Sequence, residues 1–294
     1  MAIRFSKNIG RVMMKKKKLG RRREIVSPMD IKNAIGYIVD DDQHAINVYT
    51  SDMLINQLKR DSKIIASSFD KLCHNEMLAM STLISRSLMI QDQQHSIAEN
   101  LVNTTIISLL KNASSSFSAS VILVRTGYRS QPGIIIRNII ETLSMALYLF
   151  SNRQELENFT AGKIKSSKTI SFVKAMIPPF GFLYGYFSNE FTHASTNYGK
   201  PQPIAVYTKD DEDLILNLFF LKIASWLIYV VTELICLDIV DERRYWKYTG
   251  LNEDGKQIFS FSPSEEARLW DEKYFDLSRI TAILSRLDNE AKIK

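Results

Sequence analysis

The chain has 294 residues, of which 45% are apolar and 24% charged, and its formal net charge is +6. These proportions are typical of a globular protein with ample material for a core, and they exclude a long low-complexity chain. The two cysteines, Cys73 and Cys236, form no CxxC pair, which excludes a disulfide framework and predicts a cytoplasmic protein without a metal or cofactor.

The positive charge is concentrated at the start of the chain. Residues 1–23 contain ten basic residues and no acidic one, whereas residues 24–294 contain 28 basic and 32 acidic residues and so carry about −4. We call residues 1–24 the basic arm and expect it to be flexible. No uninterrupted apolar segment follows these charges, so a secretory signal is not predicted.

Three interpretations of the basic arm stay open: a solvated tail, a contact to nucleic acid and a contact to anionic membrane. Each Lys or Arg near a phosphate strengthens nucleic-acid binding by releasing counterions. In the nucleic-acid interpretation, the residues expected to bind are Lys15, Lys16, Lys17, Lys18, Arg21, Arg22 and Arg23.

Apolar residues at helical spacing predict that most of the remaining chain is helical. Ser27 and Pro28 are suited to begin a short helix, and the acidic run 40–42 suits a helix cap better than a metal site. The helices predicted next cover residues 43–70, 74–90, 94–112 and 117–126, with "ASSSFSAS" at 113–120 as a polar joint.

A glycine turn then leads into the most informative helix. Gly127 supplies the permissive backbone of "TGYRS", and Pro132 lies in the first turn of a helix that runs to about Phe150. A further helix is predicted from Arg153 to just before Pro178, and another over 184–192. Residues 200–207, "KPQPIAVY", are the only segment predicted to be extended.

Residues 214–232 are apolar enough to raise the question of a membrane span. Lys222 lies in the middle of this segment and Glu233 near its end, and no other stretch looks comparable. A large helical domain needs one helix that is buried on nearly all sides. We therefore favour a buried central helix. One or two amphipathic helices are expected within 262–287.

Four polar side chains form one stripe on the helix that begins near Pro132. Arg137, Glu141, Ser144 and Tyr148 are spaced i, i+4, i+7 and i+11, and mostly apolar residues cover the other faces. A charge on a buried helix must be paired or face a cavity. Arg137 and Glu141 therefore either brace neighbouring helices or line a site, and the sequence leaves both interpretations open.

The segments "LVRTGYRSQPGIIIRNIIETLSMALYL" and "YGYFSNEFTHAS" resemble an uncharacterised bacterial family within the HEPN-like helical group. In that family a glycine turn precedes a helix with R-x-x-x-E, and an aromatic segment with a His follows. Arg137, Glu141 and His193 are the matching positions. The resemblance implies an antiparallel helical bundle that commonly dimerises, and in many HEPN proteins a metal-independent ribonuclease.

The HEPN ribonucleases place an Arg four to six residues before the catalytic His. None of the four histidines of this chain, His44, His74, His95 or His193, has an Arg at that spacing. If this chain cleaves RNA, Arg137, Glu141 and His193 are the catalytic candidates. Asn189, Tyr148 and Tyr184 are the substrate-binding candidates, because they share the stripe or the His-containing segment.

The combined prediction is an all-α fold, a HEPN-like antiparallel helical bundle with added N- and C-terminal helices. The predicted organisation is the basic arm (1–24), a HEPN-like domain (25–250) and a C-terminal helical extension (251–294). The leading function is a homodimeric, nucleic-acid-associated protein that acts on RNA rather than DNA. The alternatives are a scaffold or sensor that binds a partner protein or a small ligand, and a membrane-associated protein, which we favour least.

Overall fold

The structure, a computed structural model, describes residues 34–40, 45–192, 204, 206–251, 257–275, 278 and 281. These residues are mostly helical, which confirms the coarse all-α prediction. The described chain divides into two compact units. The smaller one comprises the described residues up to Leu72, Arg125–Gly127 and those of 204–209, and the larger one comprises the rest.

The smaller unit begins with a β-hairpin that the sequence analysis missed. Strands β1 (Ala34–Asp40) and β2 (Ala45–Thr50) pair antiparallel. The predictions of a helix from residue 43 and of a single extended segment at 200–207 were therefore wrong. The physical reason is that "IGYIV" and "INVYT" are rich in β-branched and aromatic residues, which favour strands. The short helix predicted at Ser27 falls mostly outside the described residues.

After the hairpin, the smaller unit is helical. Helix α1 (Met53–Asn56) continues through a π-helical turn, Gln57–Asp61, into α2 (Ser62–Leu72). Gly127 has φ +95°, and a Cβ atom there would lie 2.8 Å from Cγ2 of Ile204. The prediction of a glycine-dependent turn is thus confirmed, because both the backbone conformation and the close approach require a residue without a side chain.

The larger unit contains the long helices. Their bounds are α3 (His74–Ser96), α4 (Leu101–Arg125), α5 (Gln131–Ser151), α6 (Leu156–Thr160), α7 (Ser166–Val173), α8 (Pro179–Phe187), α9 (Glu212–Ile235) and α10 (Glu265–Tyr274). A 3₁₀ turn, Arg153–Glu155, precedes α6, and a π-helical turn, Ser188–Thr192, continues α8. Arg125, the last residue of α4, is grouped with the smaller unit.

Helix α9 lies at the centre of the larger unit and contacts both α3 and α5. Asp211 caps its N-terminus by accepting the backbone N–H of Leu214, and Glu212 and Asp213 follow in the first turn, where acids favour the helix dipole. Leu221 and Leu227 are fully buried, and most other residues of α9 are buried. The buried central helix predicted from the sequence is thus present.

Three predicted boundaries were wrong. The break predicted between residues 90 and 94 lies later, because α3 ends at Ser96 and α4 begins at Leu101. The serine-rich segment 113–120 is not a joint but the middle of α4, because serine hydroxyls donate to carbonyls one turn earlier, as Ser114 Oγ does to Leu110 O at 3.2 Å. The single helix predicted from Arg153 is divided into shorter pieces. Gly162, with φ +67°, follows α6 and ends it.

A second hairpin follows α9. Strands β3 (Trp246–Leu251) and β4 (Gln257–Phe261) pair antiparallel, so a hairpin crosses the predicted domain boundary at 250/251. Helix α10 lies within the predicted amphipathic segment and is capped by Ser264, whose Oγ accepts the N–H of Ala267 at 3.2 Å. The hairpin and α10 form most of the described part of the C-terminal region.

Candidate functional site

The Arg137 cluster is formed by two neighbouring residues of α5 and one of α8. Nη2 of Arg137 lies 3.1 Å from Oε1 of Glu141, and both side chains are 23% exposed. The same Nη2 donates to the hydroxyl of Tyr184 at 3.2 Å, and the guanidinium lies over the Tyr184 ring, 5.1 Å from its centroid. Arg137 is therefore held by a carboxylate, a hydroxyl and an aromatic face.

One atom of the Arg137 cluster has an unmet hydrogen-bonding requirement. Nε of Arg137 is buried and has no hydrogen-bond partner among the described residues. A buried N–H without an acceptor costs about 1–3 kcal/mol, and more when it carries charge. An acceptor contributed by a ligand or by another part of the chain would remove this cost. The described residues therefore leave one donor of the Arg137 cluster, Nε, without an acceptor.

The predicted polar stripe becomes more deeply buried beyond Glu141. The hydroxyl of Ser144 lies 2.9 Å from that of Thr169 on α7, and both residues are fully buried. Tyr148 is only 5% exposed, and its ring meets Phe172 edge-on at 5.4 Å. The hydrogen bond that the Lys168 ammonium donates to Tyr148 is the main cause of the raised pKa of Lys168, and this ammonium lies 5.0 Å from the ring centroid.

Tyr148 is far from the Arg137 cluster along the helix. Eleven residues of α-helix rise about 16 Å. A substrate that contacts Tyr148, as predicted, and also Arg137 must therefore span this distance.

The remaining predicted site residues divide into two groups. Asn189 is exposed in the π-helical turn that follows α8, and this turn contacts α5. His193 and the basic arm, including Lys15 to Lys18 and Arg21 to Arg23, lie outside the described residues. The structure therefore brings together Arg137, Glu141 and Tyr184, and it leaves the predicted contact with His193 as a prediction.

A second charged cluster lies at the N-terminus of α9, and the sequence analysis did not find it. Arg129 donates to Asp211 through both terminal nitrogens, at 2.8 and 2.7 Å, and to Asp213 at 2.7 Å. Burial disfavours the charge of Arg129, but the hydrogen bonds and charges of Asp211 and Asp213 outweigh burial and raise its pKa. Arg129 is 82 positions from Asp211 and 84 from Asp213, so no local pattern indicates the pairing.

The third cluster surrounds Glu233, the acid noted near the end of the apolar segment. Its Oε1 accepts three successive backbone N–H groups, from Arg244, Tyr245 and Trp246, at 3.0, 2.8 and 3.0 Å. Burial and the charge of Glu233 together raise the pKa of Tyr229 to about 12. This cluster fixes the start of the β3–β4 hairpin on α9, which indicates a structural role.

An open groove lies within the smaller unit, with a volume of about 560 Å³. Its lining includes three cations and one acid, namely Lys63, Lys71, Arg125 and Asp70. Nε and Nη2 of Arg125 each donate to Asp70 at 2.7 Å, and this bond lowers the pKa of Asp70. The net positive charge suits an anionic ligand.

Three of the described helices are long and apolar enough to cross a membrane by length and composition: α4, α5 and α9. The expectation that only one segment would be comparable was wrong. In the most apolar window of α9, 78% of the residues are buried inside the protein, against 44% for α4. An apolar helix is shielded from water either by a membrane or by burial inside the protein.

Comparisons with protein-family models, curated proteins and solved structures found no match. The class defined by the fold and the site is therefore a mostly helical protein with a half-buried Arg–Glu–Tyr cluster.

Proposed function

We propose that this chain is a HEPN-like, nucleic-acid-associated protein that acts on RNA through the Arg137 cluster. The observation that carries the proposal is the guanidinium of Arg137, which Glu141 and Tyr184 hold while its buried Nε has no partner among the described residues. A guanidinium fixed in this way is suited to a phosphate, because its donors match the oxygens of the anion.

Each residue of the proposed site has a separate chemical role. The RNA 2′-oxygen attacks the adjacent phosphorus while the bond from phosphorus to the 5′-oxygen breaks, which leaves a 2′,3′-cyclic phosphate. His193 accepts the proton of the 2′-hydroxyl or protonates the leaving 5′-oxygen, and water carries the other proton transfer. Arg137 stabilises the charge that develops on the phosphate. Glu141 orients Arg137, and Tyr184 fixes the plane of the guanidinium. No metal takes part in this reaction. Asn189 and Tyr148 remain the proposed further contacts to the substrate.

The basic arm supplies the second element of the proposal. Its ten cations would contact the RNA backbone without sequence preference and make affinity strongly dependent on salt. The resemblance to HEPN proteins supports a homodimer and a role in bacterial defence or in a mobile-element system, and the cysteine usage supports a cytoplasmic location.

The experiment is incubation of full-length protein with end-labelled single-stranded RNA in EDTA, read on a denaturing gel. We expect cleavage by the wild type and its loss in Arg137→Ala and His193→Ala. Arg153→Ala is the matched control, since Arg153 is an exposed arginine that lies over the Phe150 ring. Cleavage that survives Arg137→Ala would contradict the proposed site.

The second candidate is a non-enzymatic sensor or scaffold that binds a small anionic ligand or a partner protein. Two observations favour it: no His follows an Arg at the ribonuclease spacing, and the basic groove of the smaller unit is open. RNA binding by the wild type and by a variant that lacks residues 1–23 separates the two candidates. A wild type that binds RNA, with loss of this binding in the deletion variant, favours the first candidate. A folded wild type that does not bind RNA favours the second candidate.

The third candidate, membrane association, rests on α4, α5 and α9. Purification of the chain without detergent as a monodisperse species would count against it.

A further inference from the structure

Among the residues whose side chains the structure describes, Phe182 on α8 is the most exposed aromatic residue. It is 71% exposed, whereas Tyr248 is 45% and Phe261 47% exposed. A single exposed apolar side chain is ordinary in proteins. The meaning of the Phe182 ring therefore depends on the residues around it.

The Phe182 ring is not isolated but is the outer member of an aromatic stack. It lies on Tyr186, one helical turn later, with centroids 6.4 Å apart and planes 23° from parallel. Tyr186 in turn packs on Phe187 at 5.6 Å and on Phe220 of the central helix at 5.3 Å. The outward-facing ring is thus fixed in direction by contacts that reach into the core.

An exposed lysine packs against α8 at the glycine that precedes Phe182. Position 181 carries no Cβ; one placed there would lie 3.3 Å from both Cβ and Cδ of Lys174. The aliphatic part of Lys174 therefore rests against α8 at Gly181, the residue before Phe182, and Lys174 is exposed. An exposed flat ring and an exposed lysine packed on the preceding residue suit the two parts of a nucleotide, an unpaired base and a phosphate.

We propose that Phe182, supported by Tyr186 and flanked by Lys174, is a stacking platform for an unpaired base of single-stranded RNA. The inference rests on the proposed function, since it assumes that this chain binds RNA. Stacking on an aromatic ring is worth about 1–3 kcal/mol per base and is tolerant of sequence. Tyr184, which holds Arg137, is two residues away on α8 and therefore about 200° around the helix axis. Phe182 thus lies on a different face of α8, and the base that stacks on it is not the nucleotide held at Arg137.

The test measures binding of full-length protein to a fluorescein-labelled single-stranded RNA of twelve nucleotides by anisotropy, beside a hairpin duplex. We expect Phe182→Ala to weaken single-strand binding about tenfold, Phe182→Trp to retain it, and both to leave duplex binding unchanged. Lys174→Gln should weaken single-strand binding and reduce its dependence on salt. Tyr248→Ala, at another exposed aromatic residue, is the control and should bind as the wild type does.

A second readout reports stacking itself. RNA that contains 2-aminopurine should lose fluorescence when the wild type or Phe182→Trp binds, and should keep it with Phe182→Ala. Equal affinity and equal quenching for the wild type and Phe182→Ala would overturn the platform, whatever happens at Arg137. Loss of quenching in Phe182→Ala, with cleavage that survives Arg137→Ala, would support the platform and overturn the proposed catalytic site.

Two further outcomes are informative. A wild type that binds no RNA would overturn both proposals. Binding to phosphatidylglycerol vesicles that is lost in Phe182→Ala, in a wild type without RNA affinity, would assign the exposed ring to a lipid surface instead. Because Phe182 is exposed, the variants should keep the wild-type circular dichroism spectrum and Tm, which checks that each is folded.

Discussion

Phe191 lies directly against Gly133, so that a Cβ atom at position 133 would be 2.5 Å from Cγ of the ring. Phe191 also packs on Phe187, with centroids 5.6 Å apart. This contact fixes the π-helical turn after α8 to the first turns of α5, four residues before Arg137. The Gly133–Phe191 contact therefore places the turn Ser188–Thr192 at the same end of α5 as the Arg137 cluster.

The first prediction concerns Gly133→Ala. Alanine gains about 1 kcal/mol of helix propensity over glycine, but forcing a methyl group into a packed ring costs about 1–3 kcal/mol. We expect a net decrease in the free energy of unfolding, together with a lower affinity for RNA, because the turn shifts away from Arg137. Urea unfolding and RNA anisotropy measure the two effects.

Gly185→Ala is the matched control for Gly133→Ala. Gly185 is also a helical glycine, but nothing lies within 4 Å of a Cβ atom placed there. Only the propensity term remains, so we expect an increase in stability of up to about 1 kcal/mol. Equal effects of the two substitutions on the free energy of unfolding would show that the contact with Phe191 does not influence stability.

The second prediction compares two arginine–aspartate pairs that differ in exposure. In the Arg129–Asp211 pair both side chains are 11% exposed, whereas in Arg125–Asp70 they are 45% and 50% exposed. Arg129→Ala leaves a mostly buried carboxylate without its partner and should cost about 3 kcal/mol. Arg125→Ala should cost less than about 1 kcal/mol. Thermal and urea unfolding of both variants at 0.15 M salt measure this difference, and similar losses would contradict it.

The third prediction is a pH dependence that arises from Asp271. Burial raises the pKa of Asp271 to about 6, against the opposing effects of a hydrogen bond from Tyr245 and the charge of Arg244. The folded state therefore holds the proton more tightly than the unfolded chain, whose pKa is near 3.8. The contribution to stability is fully present below about pH 3.8 and is lost as the pH rises through about 6.

Asp271→Asn removes this titration and keeps an acceptor for Tyr245, whose hydroxyl lies 3.0 Å from Oδ1. We expect the variant to be more stable than the wild type at pH 7.5 by about 1 kcal/mol, a value reduced for partial exposure. The advantage should disappear near pH 4. Urea unfolding at both pH values measures it, and a difference independent of pH would rule out Asp271 as the titrating group.

The fourth prediction concerns the buried carboxylate of Glu233. Glu233→Ala leaves three backbone N–H groups without their acceptor, so we expect a loss of about 3 kcal/mol or more. Trp246, whose backbone N–H is one of the three and whose indole donates to Val230 O at 2.9 Å, should shift its fluorescence as the hairpin start loosens. Glu272→Ala is the control, because Glu272 is exposed in a loose pair with Arg268 at 3.9 Å. A loss no larger than that of Glu272→Ala would contradict the prediction.

The sequence predicted the helices best where periodicity, caps and breakers agreed. Helix α5 was placed closely because Pro132 marks its first turn and its apolar residues recur at helical spacing. The two hairpins were missed because their strands are short and each hairpin lies next to a helix. A stretch of sequence as long as a helix therefore includes residues of both the strand and the helix. The serines of α4 were misread because their hydroxyls bond within the helix, which composition does not show.

By itself, the sequence determined the mostly helical class, the buried α9 and the spacing that pairs Arg137 with Glu141, since these depend on residues close in the chain. The tertiary structure decided what lies against them. Tyr184 is 47 positions from Arg137 and Asp211 is 82 from Arg129, and packing alone joins such residues. The exposure of Phe182 likewise depends on which face of α8 its neighbours cover, and local sequence does not specify that face.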